Sequence, residues 1–139
     1  MEKLLRRLNP AQKDAVFHKN GPLLVLAGAG SGKTTTMATR IAYLIAKHHI
    51  SAENILGLSF TRKAAGELKE RVVKMIGQTS GSAAAKGLTL STFHALCVRI
   101  LRARASEIGY TPDFTILDAN DQGDIVKAVL RQIKLDDRK

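Results

Sequence analysis

The sequence predicts an α/β fold, a parallel sheet flanked by helices, and three features carry that prediction. Leu23–Ala27 is apolar on both faces, as a buried parallel strand is. Ile55–Phe60 and Leu88–Ser91 are further short apolar runs, and each of the three gives way to a segment of helical character. Strand, loop and helix alternating in this order call for parallel neighbours joined by right-handed crossovers.

Asn9-Pro10 opens the first clear helix, with asparagine as N-cap and proline at the first helical position, where its missing N–H costs nothing. Gln12 stands in its first turn; on spacing alone an exposed amide there is usually inert. Asn20-Gly21 closes this helix and leads into the first strand. Thr35 to Lys47 reads as the next helix, with Ile41, Leu44 and Ile45 on one face. His48 and His49 at its end suit the negative pole of the helix; adjacent residues diverge by ~100°, a poor geometry for a shared metal.

Ile55–Phe60 is the second strand, and Thr61 to Arg71 begins the helix after it. Ligands of parallel sheets collect at the carboxyl ends of strands, which places Phe60, Thr61, Arg62 and Lys63 on the rim that holds the loop after Ala27. The plainer readings are a core aromatic for Phe60 and a solvated helix start for Lys63. Thr79 to Gly87 is small and polar, a surface connection. Leu88–Ser91 is the third strand, followed by Thr92, Phe93 and His94 and a basic helix over Ala95 to Ser106. An aromatic and a hydroxyl beside such a helix suit base stacking and phosphate contact, whereas a histidine at a helix start is by itself unremarkable. Gly109–Pro112 breaks the pattern, and Phe114–Leu117 is a short strand or extended piece. Asp118 or Asn120 then caps a final helix running to about Lys134, with Ile125, Val129 and Leu130 at helical spacing.

The chemistry concentrates in Ala27-Gly28-Ala29-Gly30-Ser31-Gly32-Lys33-Thr34. Glycines at 28, 30 and 32 allow positive φ, so that backbone N–H groups turn inward as a phosphate cradle. The helix starting near Gly32 adds unpaired N–H groups and the positive end of its dipole. Lys33 is a point charge for the β- and γ-phosphates of a nucleoside triphosphate, and the Thr34 hydroxyl is a hard oxygen ligand suited to Mg²⁺. The pattern departs from the usual phosphate loop at one place, Ala27 standing where glycine is the rule. A dinucleotide fingerprint does not fit, since it needs glycine where Lys33 stands.

Composition narrows the partner. The 139 residues carry a net charge of +10, with pI near 10.1. That balance favours a polyanion, nucleic acid before membrane, over a merely soluble basic surface. Cys97 is the only cysteine, which precludes an internal disulfide and suits a reducing compartment. No apolar run approaches the ~18 residues of a membrane span, and the N-terminus has no secretory character.

Four ordered stretches, Leu8–Gln12, Ala27–Thr34, Leu58–Ala65 and Ser91–His94, closely resemble the N-terminal part of superfamily-one DNA helicases of the Rep, PcrA and UvrD type. The resemblance implies a RecA-like P-loop ATPase domain over residues 1–112, with residues 113–139 starting an inserted helical subdomain. It makes Gln12 the adenine-reading residue and assigns nucleotide contacts to Ala27 through Thr35, with Lys33 and Thr34 catalytic and Thr34 on the metal. Phe60, Thr61, Arg62, Lys63, Thr92, Phe93 and His94 become contacts to single-stranded DNA. Two residues depart from the family pattern: Thr35 replaces an arginine near the nucleotide, and Arg62 replaces an asparagine.

The implied activity is ATP-driven translocation on single-stranded DNA, 3′ to 5′, with unwinding of duplex DNA in the bacterial cytoplasm and nucleoid. No Walker B aspartate is recognisable: Thr115 interrupts the run before Asp118, Ala119 follows it, and Asp136-Asp137 has no strand before it. The chain is therefore expected to be an N-terminal piece that binds ATP without appreciable hydrolysis. The competing expectation is a non-catalytic nucleic-acid-binding module whose nucleotide site is structural.

Overall fold

The computed structural model of the chain describes residues 1–133. The elements are α1 (Glu2–Leu5), α2 (Pro10–Phe17), α3 (Lys33–His48), β1 (Leu56–Ser59), α4 (Arg62–Thr79), β2 (Thr89–Thr92), α5 (Phe93–Ala103) and α6 (Ala119–Gln132), with short 3₁₀ turns at Ala52–Asn54, Ser82–Ala85 and Ala105–Ile108. Two compact units divide at Cys97/Val98, within α5.

In the first unit the core is a helix-on-helix seam. Ala38, Ile41, Ala42 and Ile45 of α3 recur every three or four residues and meet Leu68, Val72 and Ile76 of α4. Leu44, expected on that face, is half-buried instead. Ile76 and Val72 are fully enclosed, so this seam fixes the register of the two long helices. The helix ends follow local chemistry. Asn9 Oδ1 accepts from the Gln12 N–H while Gln12 Oε1 accepts from the Asn9 N–H, a reciprocal capping box. Thr61 Oγ1 caps α4 by accepting from Ala64 N. His49 closes α3 in the left-handed conformation, its N–H donating to the Leu44 carbonyl.

β1 and β2 pair in parallel, with Leu56 opposite Thr89 and Ser59 opposite Thr92. Gly57 lets them pack closely, because a Cβ there would run into the Leu90 side chain. The expected strand at Leu23–Ala27 is corrected: it is an apolar run outside any ladder, with Leu24 82% and Leu26 87% exposed. A parallel strand is stabilised by ladder bonds on its edges and by cover on its faces. Among the described residues only β1 and β2 pair, and this run joins the outer edge of neither.

The second unit holds the end of α5 and the capped helix α6. Asp118 accepts from the N–H groups of Asn120 and Asp121, and Asp121 returns a bond to the Asp118 N–H. Phe114–Leu117 forms no strand; Phe114 instead meets Tyr110 edge-on and lies under the Arg102 guanidinium. The Thr111 hydroxyl beside Asp113 holds its carboxyl below the usual carboxylate range. The readings at Lys134 and Asp136-Asp137 fall outside the described residues.

Candidate functional site

The glycine-rich loop runs from Ala27 to the start of α3, and its shape follows from two left-handed glycines. Gly30 has φ +74° and Gly32, the N-cap of α3, has φ +85°. Gly28, expected to be left-handed too, is not. Its role lies in its carbonyl, which accepts from Ser31 N (3.3 Å), Ser31 Oγ (2.7 Å) and Lys33 Nζ (2.7 Å). Three donors on one oxygen close the turn without needing positive φ at residue 28.

Lys33 Nζ also donates to the Ala27 carbonyl at 3.1 Å. The ammonium therefore lies folded over the loop, and an ammonium has a third proton to give. The loop side chains and Thr34 are exposed, whereas the hydroxyls of Thr36 and Thr39 are committed to carbonyls one turn back. Thr34 thus offers an accessible hard oxygen at the helix start. Among the described residues no cluster of His, Cys, Asp or Glu could hold a metal by itself. Mg²⁺ fits here only with phosphate and water oxygens completing its shell around Thr34.

Gln12 is tied directly to the loop. Its Nε2 donates to the Ser31 carbonyl at 3.0 Å while its Oε1 serves the α2 capping box. A primary amide has two N–H donors and two acceptor lone pairs, so one of each is uncommitted. A cleft of about 710 Å³ opens beside these groups, with Gln12, Lys33 and Arg40 polar and Leu23, Val25 and Met37 apolar in its wall. That volume is in the range of a ligand site. Among the described residues its lining carries no carboxylate.

The second group of expected residues lies at the carboxyl ends of the two paired strands. Because Ser59 and Thr92 are opposite each other, the turns Phe60–Lys63 and Phe93–His94 leave the sheet side by side. Phe60 is 90% exposed and Phe93 is 57% exposed. A core role for Phe60 is thereby removed. Arg62, Lys63 and His94 are exposed around these rings. Thr61 is exposed with its oxygen already accepting a capping bond. Thr92 differs from the rest: it is 7% exposed and its Oγ1 accepts from Ala95 N, which fixes the start of α5.

Two arginines were not singled out by the sequence. Arg71 on α4 donates to Thr35 Oγ1 at 2.7 Å, bringing a guanidinium to the helix start beside Thr34. Arg40 on α3 donates to carbonyls at the end of α2. Neither contact has a periodicity or a motif that would announce it, since each joins separate helices.

A glycine-rich turn, a helix N-terminus and a lysine make a corner whose chemistry suits an anion, on an α/β unit whose paired strands end in exposed aromatic and basic side chains. The profile of the UvrD/REP helicase N-terminal domain matches residues 8–139, and the chain belongs to that family. It is 48% identical over 136 residues to the ATP-dependent DNA helicase PcrA of Bacillus subtilis, covering 98% of this chain and 18% of that protein. PcrA of Staphylococcus aureus (strain Mu50) is 46% identical over 139 residues, 100% of this chain and 18% of its own length. The ATP-dependent DNA helicase UvrD1 of Mycobacterium leprae is 45% identical over 137 residues, or 98% and 17%. The chain spans less than a fifth of the length of these relatives. Among the described residues no helix is long and apolar enough to cross a membrane.

Proposed function

We propose that this chain is the nucleotide-binding and DNA-contacting start of an ATP-dependent helicase, with a RecA-like P-loop domain over residues 1–112 and an inserted helical subdomain beginning in 113–139. The loop backbone from Ala27 to Gly32, with Ala29 at its tip, surrounds the phosphates of ATP. Lys33 exchanges its bonds to the Ala27 and Gly28 carbonyls for β- and γ-phosphate oxygens. Thr34 gives its hydroxyl to Mg²⁺, whose charge would offset that of the phosphates. The spare donor and acceptor of Gln12 match the N7 acceptor and N6 donor of adenine, the pairing glutamine makes with that base elsewhere. Guanine presents two acceptors on the same edge and is rejected.

On the other rim, Phe60 and Phe93 stack on bases of single-stranded DNA while Arg62, Lys63, His94 and Thr61 hold its phosphates. Thr92 acts from within, by holding the turn that presents Phe93 and His94. The observation that carries this reading is α4. It begins at the aromatic and basic turn after β1, and further along it brings Arg71 to Thr35 at the loop helix. One rigid element thus touches both sites. In the parent protein the activity is ATP-driven movement on single-stranded DNA, 3′ to 5′, with duplex unwinding in the bacterial cytoplasm. The isolated chain binds ATP and hydrolyses it negligibly, because among the described residues the cleft lining supplies no carboxylate to orient water.

Two titrations test this reading, one of labelled ATP with Mg²⁺ and one of labelled oligothymidylate, on the 139-residue chain. Lys33→Ala should abolish the first and spare the second, and Phe60→Ala should do the reverse. Binding of DNA without any Lys33-dependent nucleotide binding would replace the motor reading with that of a plain nucleic-acid module. A Lys33-dependent turnover of ATP by the chain alone would overturn the statement on hydrolysis.

A further inference from the structure

We infer that Arg40 is a positioning residue for base recognition: it clamps the end of α2 so that Gln12, at the other end of that helix, is held at the loop. The inference rests on the reading of Gln12 as the group that meets the base.

Helix α2 rests on α3, where its Phe17 ring meets the Tyr43 ring at 5.2 Å between centroids. It is eight residues long and buries only Ala15 and Val16. A helix that short is marginal in water and takes its orientation from what it is tethered to. Its last carbonyls have no intrahelical partners, and they form the negative end of its dipole. Arg40 Nη1 meets that end, donating to Ala15 O at 2.7 Å, to Val16 O at 3.5 Å and to the carbonyl of the C-cap residue His18. The guanidinium is half-buried and, among the described residues, pairs with no carboxylate. Its charge is committed to the helix end.

The geometry makes this a coupling between two ends of one helix. Lys33 and Arg40 lie two turns apart on α3, so they project from the same side of it, roughly 10 Å apart along its axis. The first meets the loop carbonyls and the second meets the far end of α2. At the near end of α2, Gln12 closes the circuit by donating to Ser31 in the loop. The cleft is lined by Gln12, Lys33 and Arg40 together. A shift of α2 by even an ångström would carry the Gln12 amide out of register with a base edge while leaving the loop and Lys33 on α3. Arg40 therefore acts on which base is accepted, and the phosphates are held without it.

The test is a set of affinities for ATP, GTP and inorganic tripolyphosphate, measured on the 139-residue chain as wild type, Arg40→Ala, Arg40→Lys, Gln12→Ala and the Arg40→Ala/Gln12→Ala double variant. Arg40→Ala is expected to lower ATP affinity on the order of tenfold and to bring the ATP/GTP ratio towards unity, as loss of one paired base contact does. Tripolyphosphate affinity should stay within about twofold. Arg40→Lys, which keeps the charge but not the fork, should fall between. In the Gln12→Ala background Arg40→Ala should change the ratio no further, because both substitutions break the same link. An ATP/GTP ratio unchanged in Arg40→Ala overturns the inference; if that variant lacks a cooperative melt, an unchanged ratio in Arg40→Lys does so. A wild-type preference for ATP that depends on Gln12 but not on Arg40 overturns the inference alone. No wild-type preference at all overturns it together with the base-reading role of Gln12.

Discussion

The three loop glycines make separable predictions because they differ in conformation or in what surrounds them. Gly28 has no positive φ, and a Cβ there would meet nothing within 4 Å. Gly28→Ala should therefore leave stability unchanged or raise it by about 0.4–1 kcal/mol, through the lost freedom of the unfolded chain. Gly30 has φ +74° with equally open surroundings, so Gly30→Ala bears only the left-handed penalty, roughly 1–2 kcal/mol. Gly32 has φ +85°, and its added Cβ would stand 2.9 Å from Gln12 Nε2. That atom is the end of a flexible side chain, so the clash is relieved by moving Gln12, at the expense of its bond to Ser31, about 1 kcal/mol. Gly32→Ala should thus cost roughly 2–3 kcal/mol in all and, unlike Gly30→Ala, lose the preference for adenine. Thermal unfolding followed by circular dichroism reads the first quantity, at roughly 4 °C per kcal/mol for a chain of this size. The ATP/GTP affinity ratio reads the second. A Gly28→Ala penalty as large as that of Gly30→Ala would refute the conformational assignment. An unaltered base preference in Gly32→Ala would refute the placement of Gln12.

Other substitutions probe the rest of the account. Phe60→Ala should leave the melting temperature in place, since the ring is 90% exposed, and lower affinity for single-stranded DNA by about 1–3 kcal/mol in a fluorescence titration. Arg71→Ala breaks the contact to Thr35 at an exposed position; it should change stability by less than about 1 kcal/mol while reducing the effect of nucleotide on DNA affinity. Ile76→Ala opens the fully enclosed seam between α3 and α4 and should destabilise the first unit by about 2–5 kcal/mol in a urea titration.

What the sequence made legible was local. Asn9 and Pro10 mark the start of α2, and the cap at Asp118 marks α6, because capping is a matter of three or four consecutive residues. The apolar spacing at Ile41 and Ile45 finds the buried face of α3, and β1 and β2 lie within a residue or two of their expected places. Leu23–Ala27 misled for a physical reason: its residues state a preference for burial, but a strand exists only where a neighbour offers a ladder. Thr92 looked like a surface hydroxyl and is a buried cap, because the turn after a strand can point either way. The contacts that tie the site together were invisible. Gln12 reaches Ser31 across 19 positions and Arg71 reaches Thr35 across 36, and such pairs are created by helix packing rather than by any repeat in the chain.

A nucleotide loop and a DNA rim joined by α4 in one unit should respond to each other's ligands. The affinity of the 139-residue chain for labelled oligothymidylate, with and without saturating ATP and Mg²⁺, reads that response. Nucleotide should change DNA affinity at least about fivefold, the lower range of coupling between linked sites, and the change should disappear in Lys33→Ala. DNA affinity unmoved by nucleotide that demonstrably binds would contradict this coupling.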